Sequence, residues 1–600
     1  MADENQTIPQ AQTTEPLEYR NPGEQRTPAM KPPRIWPAVA IVALLWGMRL
    51  YARLVDLTTF HHFITTFLSL LAGMALFLGW WLISRRTSIK ERLLVLVAVV
   101  LLCFVGQASA DVSMRGMMWV ILAMPFVLTT WTIWWGAARN RSPGIRTGGL
   151  IAILAITCGS FELFKMAGLD GEQHADLRWR WGPATERIWL AGYKTASLGQ
   201  SAVINPSNLG PVVLRPDDWP GFRGPLRDGS VHGLQIATDW AAHPPKLLWR
   251  QQAGPGWSSP IVVGGRLFTH EQQGGSEVVV CRDAATGSVI WICEDAGRFD
   301  ESMSGPGPRA TPTFSDGKIY SLGATGVLNC LDATNGARIW TKNIATDSGV
   351  APPMWGFASS PLIQNGMVIV YVGGAKGLLA YHADTGKLAW NVVSGTQSYT
   401  SAQPAILNGQ EQALFLSDAG LVGVDAVGGR VLWTHDVVGT GMPRSIQPHV
   451  ISPTQVLISS ETDLGTAEID VASNNNSWSA KQAWVSRQLK PSFDDYVIQD
   501  GYAYGFDGAV FSCIDIRDGK RMWRGGHYGH GQVVLLADQK LLLVIGEEGQ
   551  AILLRATPKA SEEIAQFQAI SGKTWNHPAI AGGRLYVRNG QEAAAFELPR

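Results

Sequence analysis

After residue 240 a tryptophan returns at almost even intervals: Trp249, Trp291, Trp340, Trp390, Trp433, Trp478 and Trp523, with gaps of 42 to 50 residues. Most close a D-A-x-x-G-x-x-x-W turn, as in Asp283–Trp291 and Asp332–Trp340; His382–Trp390, Asp425–Trp433, Asp470–Trp478 and Asp515–Trp523 are variants of it. A period of this length, with strand-like segments between turns, points to one propeller blade per repeat. In the first unit Ser259–Val263, Arg266–Thr269, Glu277–Cys281 and Val289–Trp291 read as four short strands. Their apolar runs, in place of strict alternation, fit sheets buried on both faces by neighbouring blades.

The two ends set the count. Phe567, 44 residues past Trp523, is expected at the tryptophan position of a further blade. The chain then finishes with three strand-like stretches (578–580, 582–587 and 593–598) and no fourth, whereas Lys246–Trp249 is a fourth strand without its first three. Pairing these fragments closes the ring and leaves no open edge. The expected fold class is an all-β eight-bladed propeller over 240–600, preceded by an α-helical membrane domain of five spans.

The first part of the chain is of another kind. Residues 1–34, rich in Pro, Gln, Glu and Thr, read as a disordered cytoplasmic tail. Within 35–168, apolar segments at about 36–54, 63–84, 92–109, 117–136 and 149–168 each approach the ~20 residues that cross a bilayer. Residues 169–239 form a periplasmic linker and lead-in segment. Positive charge gathers in the second loop (Arg85, Arg86, Lys90, Arg92) and the fourth (Arg139, Arg141, Arg146), which places those loops in the cytoplasm and the propeller in the periplasm, on a multi-pass inner-membrane protein. Glu162 and Lys165 read as an i,i+3 pair at the outer end of the fifth span, and His61 and His62 as part of the first outer loop. With 49 basic and 49 acidic residues the formal net charge is +0, so nothing in the composition favours nucleic acid.

Motifs of chemistry are scarce. The sequence has no H-E-x-x-H, G-x-S-x-G or phosphate loop, and no C-x-x-C-H for covalent haem. Of the 6 cysteines, Cys281, Cys330 and Cys513 fall two positions before the turn Asp of their repeats and read as small buried hydrophobes. A site is best sought where each blade's last strand connects to the next blade's first, over one face near the axis. Those connectors hold Trp257, Arg309, Trp355, Tyr399, Arg444, Lys490, Asp494 and Asp495, His527 and His530, and Trp575 with Asn576 and His577. Aromatic surface with cations suits an anionic or planar ligand, and Asp494 and Asp495 suit a hard cation such as Ca²⁺. The same residues also suit plain packing around the mouth of the ring, or a protein contact surface.

The D-A-x-x-G-x-x-x-W turns, together with Asp218-Trp219-Pro220-Gly221-Phe222-Arg223-Gly224-Pro225 and Arg227-Asp228-Gly229, resemble the PQQ-like β-propeller repeat family over roughly 216–600. The resemblance implies one of two roles. One branch is the quinoprotein alcohol and glucose dehydrogenases, in which PQQ stacks on a tryptophan, Ca²⁺ is held by Glu, Asn and Asp, and an aspartate is the base. Here that base would be Asp494 or Asp495, with Arg309, Trp355, Arg444, Lys490, His530, Trp575 and His577 around the ligand. The other branch is the assembly lipoprotein of the outer-membrane β-barrel machinery, a cofactor-free propeller used for protein contact. The chain lacks the adjacent cysteine pair of several of the dehydrogenases and has a lean propeller, which favours a membrane-anchored binding or scaffold module with no assigned cofactor. Five spans favour the alternative, a PQQ- and Ca²⁺-dependent dehydrogenase passing electrons from a sugar or alcohol to membrane quinone.

Overall fold

The computed structural model describes residues 34–55, 59–84, 86–182, 210–437, 444–462, 464–475 and 477–600; the expected tail before residue 34 and residues 183–209 of the linker lie outside them. Five helices come first: α1 (Trp36–Leu54), α2 (Thr59–Ile83), α3 (Ile89–Ser109), α4 (Met117–Ala137) and α5 (Pro143–Ser160). All five are long and apolar enough to cross a membrane. Two expectations are corrected. α2 begins at Thr59, so His61 and His62 lie in its first turn rather than in a loop. α5 starts at Pro143, whose fixed φ suits a first helical position, and ends at Ser160. Glu162 therefore sits in a short 3-10 turn and accepts from the Ser109 hydroxyl (2.5 Å), while Lys165 is in a strand and donates to the Gly182 carbonyl (2.8 Å).

The chain leaves α5 as a hairpin of Phe164–Leu169 and Ala175–Trp179 lying on the C-terminal end of α3 and the N-terminal end of α4. Met166 N–H donates to the Ser113 hydroxyl and Arg180 to the Ser109 carbonyl. At the opposite end of the bundle Arg146 reaches across to Glu91 (2.7 Å), and Trp80 donates to the Arg34 carbonyl (3.2 Å). Loops two and four thus share one end of the bundle, and the path to the propeller leaves from the other.

Eight sheets follow. Blades 1 to 7 lie within 261–296, 313–343, 362–392, 403–436, 449–486, 497–527 and 532–568. Blade 8 combines 579–597 with the earlier strand Lys246–Gln252, with Trp249 opposite Ala595, so the two ends of the domain close the ring as the sequence requires. First strands of neighbouring blades touch one another and so line the axis.

The repeat motif is an interface between blades. Trp249, Trp291, Trp340 and Trp390 each donate their indole N–H to an alanine carbonyl in the next blade's turn: Ala284, Ala333, Ala383 and Ala426, at 2.9–3.2 Å. The turn glycine faces the same ring. At Gly336 (φ +75°) an added Cβ would lie 2.6 Å from Trp291, so the position needs glycine for its dihedral and for its lack of a side chain. Asp283 and Asp332 close the turns by accepting backbone N–H groups two and three residues on. Trp433 packs on the long hairpin strands of blade 5 rather than on a turn, and donates to Gln412 of its own sheet instead (2.7 Å).

Register corrects two assignments. In blade 5 the residue in the tryptophan position is Trp484, opposite Glu468; Trp478 pairs with Ser473 near the turn, because both strands of this hairpin run for 10 residues and carry the turn outward. In blade 7 the position falls on Ala565, opposite Leu553. Phe567 lies two residues further, against Phe596 (5.0 Å) and Trp240 of the lead-in segment (5.5 Å). Cys281, Cys330 and Cys513 sit opposite Trp291, Trp340 and Trp523, and are buried free thiols as expected.

Candidate functional site

The chain's own lead-in segment, 218–240, crosses the ring, with 218–229 on the axis and 230–240 running out to blades 7 and 8. Trp219 bridges to Val262 of blade 1, and the Pro220 carbonyl accepts from Phe314 N–H of blade 2 (2.8 Å). Arg227 donates to the Ser360 and Pro361 carbonyls at blade 3, and Gln403 of blade 4 donates to the carbonyls of Leu226 and Arg227. Arg223 meets His449 of blade 5 (3.1 Å) and Asp495 at the entry to blade 6 (3.0 Å). Ser230–Val231 adds a parallel strand to blade 7, and Ala237 N–H donates to the Pro599 carbonyl after blade 8 (2.8 Å). One segment therefore contacts all eight blades. Arg223 and Arg227 both hold left-handed backbone (φ +60° and +57°), a strained choice for a side chain that persists only where surrounding contacts over-determine it.

Above this plug runs a girdle of hydrogen bonds. His577 N–H donates to the Ser259 hydroxyl, Ser259 N–H to Thr311, Thr311 N–H to Ser360, Ser360 N–H to Ser401, and Ser401 N–H to the Gln447 side chain, all at 2.7–3.0 Å. His449 continues it to Asp495 (2.7 Å), and Gln532 reaches the Phe493 and Trp575 carbonyls. Most of the donors and acceptors sit just before a proline that recurs in the connectors, at Pro260, Pro312, Pro361, Pro448 and Pro578. This hydroxyl-before-proline pattern was legible in the sequence, but the aromatic and charged neighbours drew attention instead.

The residues singled out from sequence fall into separate groups. Asp495 is buried; one oxygen accepts from His449 and Tyr496 N–H, the other faces Arg223. Burial opposes its charge, but Arg223 and then His449 hold its pKa below the usual carboxylate value. Asp494, also buried, accepts from Ser492 N–H and lies 3.2 Å from His530 Nδ1. Burial works against a charge on His530, yet Asp494, with Glu547 and Glu461 behind it, lifts its pKa to about 9. Trp575 donates to Glu547 (2.8 Å) and packs on Trp257 and Phe493. His577 lies at the plug beside Trp219, kept neutral by burial and by Arg223, with its pKa pushed down to about 4.

The remaining four are anchored elsewhere. Arg309 is spent within its own connector, on Glu301 (3.1 Å), the Gly305 carbonyl (2.7 Å) and the face of Phe299 (4.7 Å). Trp355 packs on Tyr399 (5.1 Å), Arg444 is buried and donates to Ser460 (2.7 Å), and Lys490 pairs with Asp507. Arg309, Trp355, Arg444 and His530 thus each answer to local partners, and of these His530 borders the cleft where the propeller meets the helices.

That junction covers the connector face over blades 1, 6, 7 and 8. Leu169 N–H donates to the Met303 carbonyl (2.7 Å), Gly171 N–H to Glu547 (2.7 Å), and Lys573 Nζ to the Leu169 carbonyl (2.9 Å). Lys573 lies over the rings of Trp575 (4.3 Å) and Trp257 (5.1 Å), and burial lowers its pKa to about 8. Sequence reasoning did not pick out Lys573, Arg223, Arg227 or His449 as site residues. Arg223 and Arg227 stood in view only as parts of a Gly/Pro-rich opening segment.

PQQ with Ca²⁺ on the axis requires an open stacking space and carboxylate oxygens free to bind the ion. The axis is occupied by 218–229, and both oxygens of Asp495 are taken, one by His449 and Tyr496 N–H and the other by Arg223, while Asp494 turns one oxygen to Ser492 N–H and the other lies 3.2 Å from His530 Nδ1. Among the described residues no group of three or more His, Cys, Asp or Glu side chains is placed to hold a metal. The residues present do not fit that cofactor pair.

With this geometry the relationships become informative. Residues 238–341 and 275–524 match the family model described as outer membrane protein assembly factor BamB. The match runs through most of the propeller and just under half of the chain, and over these residues the propeller resembles the PQQ-like repeat family. A curated relative of this PQQ-like propeller, the outer membrane protein assembly factor BamB of Burkholderia pseudomallei (strain K96243), is 24% identical over 320 residues, 49% of this chain and 74% of that protein. Quinohemoprotein alcohol dehydrogenase ADH-IIG of Pseudomonas putida is 32% identical over 141 residues, which is 22% of this chain and only 19% of the enzyme. Among solved structures, quinohemoprotein alcohol dehydrogenase from Comamonas testosteroni matches with a TM-score of 0.46 at 14% identity, covering 68% of this chain and 84% of that one. BamB from Moraxella catarrhalis matches with a TM-score of 0.41 at 15% identity, covering 59% and 98%.

Proposed function

We propose that this chain is a membrane-anchored propeller that works as a binding or scaffold module on the outer side of a bacterial inner membrane. The observation that carries the reading is the plug. Arg223, its side chain set between Asp495 and His449, closes the axis of the ring with the chain's own lead-in segment and leaves no open space there for a planar ligand. The extents of the two kinds of relative support it too, since the assembly-factor match runs through 74% of its length and the dehydrogenase match through 19%. The membrane hairpin takes the connector face over blades 1, 6, 7 and 8, which leaves the opposite face, carrying the D-A-x-x-G turns, for partners.

The decisive experiment adds PQQ and Ca²⁺ to the detergent-solubilised full-length protein. No quinone absorbance should co-purify, and no dye should be reduced with sugars or alcohols. A stoichiometric bound-quinone spectrum would return the chain to the dehydrogenases. The sidedness rests on the Arg and Lys excess in loops two and four. Alkaline phosphatase fused after residue 216 should be active and fused within 85–92 inactive; the reverse pattern overturns the outer placement.

A further inference from the structure

Two of the 6 cysteines lie outside the propeller, on different helices of the bundle: Cys103 on α3 and Cys158 in the last turn of α5. Their thiols face each other across the helix pair. Gly106, one turn after Cys103, lets the helices come this close: a Cβ added there would lie 3.5 Å from the Cys158 Cβ and 3.0 Å from the Trp119 ring of α4. On the third side Met124 of α4 places its Sδ 4.0 Å from the Cys103 Sγ. Three helices thus each bring one sulfur to a single spot. Cys158 and Met124 are buried there, and Cys103 is half-buried.

The spacing suits a metal. At the ~2.3 Å of a metal–thiolate bond, three sulfurs in a trigonal plane stand about 4 Å apart. The donor type selects which metal. Thiolate and thioether are soft and suit Cu(I), whereas Ca²⁺ and Mg²⁺ require oxygen and Zn²⁺ in a closed site takes four ligands. With a thioether as third donor the set needs no His, Asp or Glu. Glu162, whose charge reaches Cys158, accepts from the Ser109 hydroxyl instead (2.5 Å). Further thioethers continue the soft character towards the propeller. Met114 and Met166 are buried where the hairpin meets α3 and α4, and Met303, from the connector after blade 1, packs against the same cluster. They offer the ion an approach from the propeller side.

We propose that Cys103, Cys158 and Met124 form a Cu(I) site inside the helical bundle. Binding replaces thiol protons, which leave to water, by metal–sulfur bonds and changes no oxidation state. The bound ion ties α3, α4 and α5 together next to the hairpin that carries the propeller. The site is separate from the propeller axis, and the proposal is independent of what the propeller binds.

The test uses the full chain, purified in detergent with its cysteines reduced and kept free of oxygen. Cu(I) is titrated in against bicinchoninate, a chromophoric Cu(I) chelator, and the retained metal is examined by X-ray absorption. The expected result is about one Cu(I) per chain in a shell of sulfur alone at ~2.3 Å. Cys103→Ser should weaken retention by at least about 100-fold and Met124→Leu by at least about tenfold, since even partners outside the ligand set typically cost about 10–100-fold. If Cys103→Ser folds poorly, Met124→Leu, apolar and close in volume, carries the test. Unchanged Cu(I) affinity in either variant overturns the proposal, because the metal then sits elsewhere, on the propeller cysteines for instance. Equal retention of Zn²⁺ overturns the assignment to Cu(I). Recovery of Cys103 and Cys158 from cells as a disulfide, blocked to alkylation until reduced, overturns the site in favour of a structural cross-link.

Discussion

Without residues 590–600 the propeller will not fold cooperatively. That deletion removes the strand Glu592–Glu597, which pairs on one side with Arg584–Arg588 and on the other with Lys246–Gln252. It also takes away the buried Ala593, Ala594, Ala595, Phe596 and Leu598, and the Pro599 carbonyl that holds Ala237. Phe596 packs on Phe567, so the seam between blades 7 and 8 opens as well. Burying a large apolar side chain contributes about 1.5–3 kcal/mol, and whole domains have only about 5–15 kcal/mol in hand. Losing Phe596 and Leu598 together with three buried alanines and the strand pairing on both sides removes a large part of that margin at one seam. Denaturant unfolding followed by tryptophan fluorescence should change from a steep transition to a broad one; a steep transition near the intact protein's midpoint would sink the closure.

The second large effect belongs to the axial plug. Arg223→Ala leaves Asp495 buried with His449, whose pKa burial lowers, as its remaining side-chain partner, and removing one partner of a buried pair costs about 3–5 kcal/mol. Adding Asp495→Asn in that background should recover much of the loss, because the orphaned charge goes with it. The linkage has a definite sign. The folded-state pKa of Asp495 is depressed, so the pair's contribution is present above the carboxylate's ordinary 3.8 and is lost as pH falls through the depressed value. Arg223→Ala should therefore start to unfold at higher pH on the acid side than the intact protein. If single and double variants melt alike, the pair contributes no coupling and the plug is held by packing alone.

The architecture was legible because its signal is periodic. The turn alanine, glycine and tryptophan are each tied to a neighbouring blade, and the aspartate holds the turn that presents them, so they must recur at blade spacing whatever else drifts. The reading slipped where that coupling is absent. In blade 5 the turn glycine is lost, and Trp478 happened to stand at the expected interval while Trp484 filled the position. In blade 7 Ala565 fills it and an aromatic two residues on does the packing. The candidate site was less legible, for a different reason. Charged and aromatic connector residues look alike in sequence whether they await a ligand or already have partners. What separates the two cases for Asp495 is Arg223, 272 positions earlier by numbering, in a segment with no period at all. Only the fold brings them together.

The plug also imposes an order of events. Residues 218–229 are made before any complete blade, yet they end at the centre of all eight, and the strand at 246–252 that follows them waits for the last residues of the chain. The ring is thus assembled around a core laid down first, and its longest-range pairing is the final one available. Such a topology favours slow folding, since the loop entropy of nearly the whole domain must be overcome before the closing contacts form. Until then blade 8's third strand has an open edge that could pair with another chain. Holding the start of the domain against the helical bundle through α5 and its hairpin fixes one end of this search in space, which gives the helices a part in making the propeller.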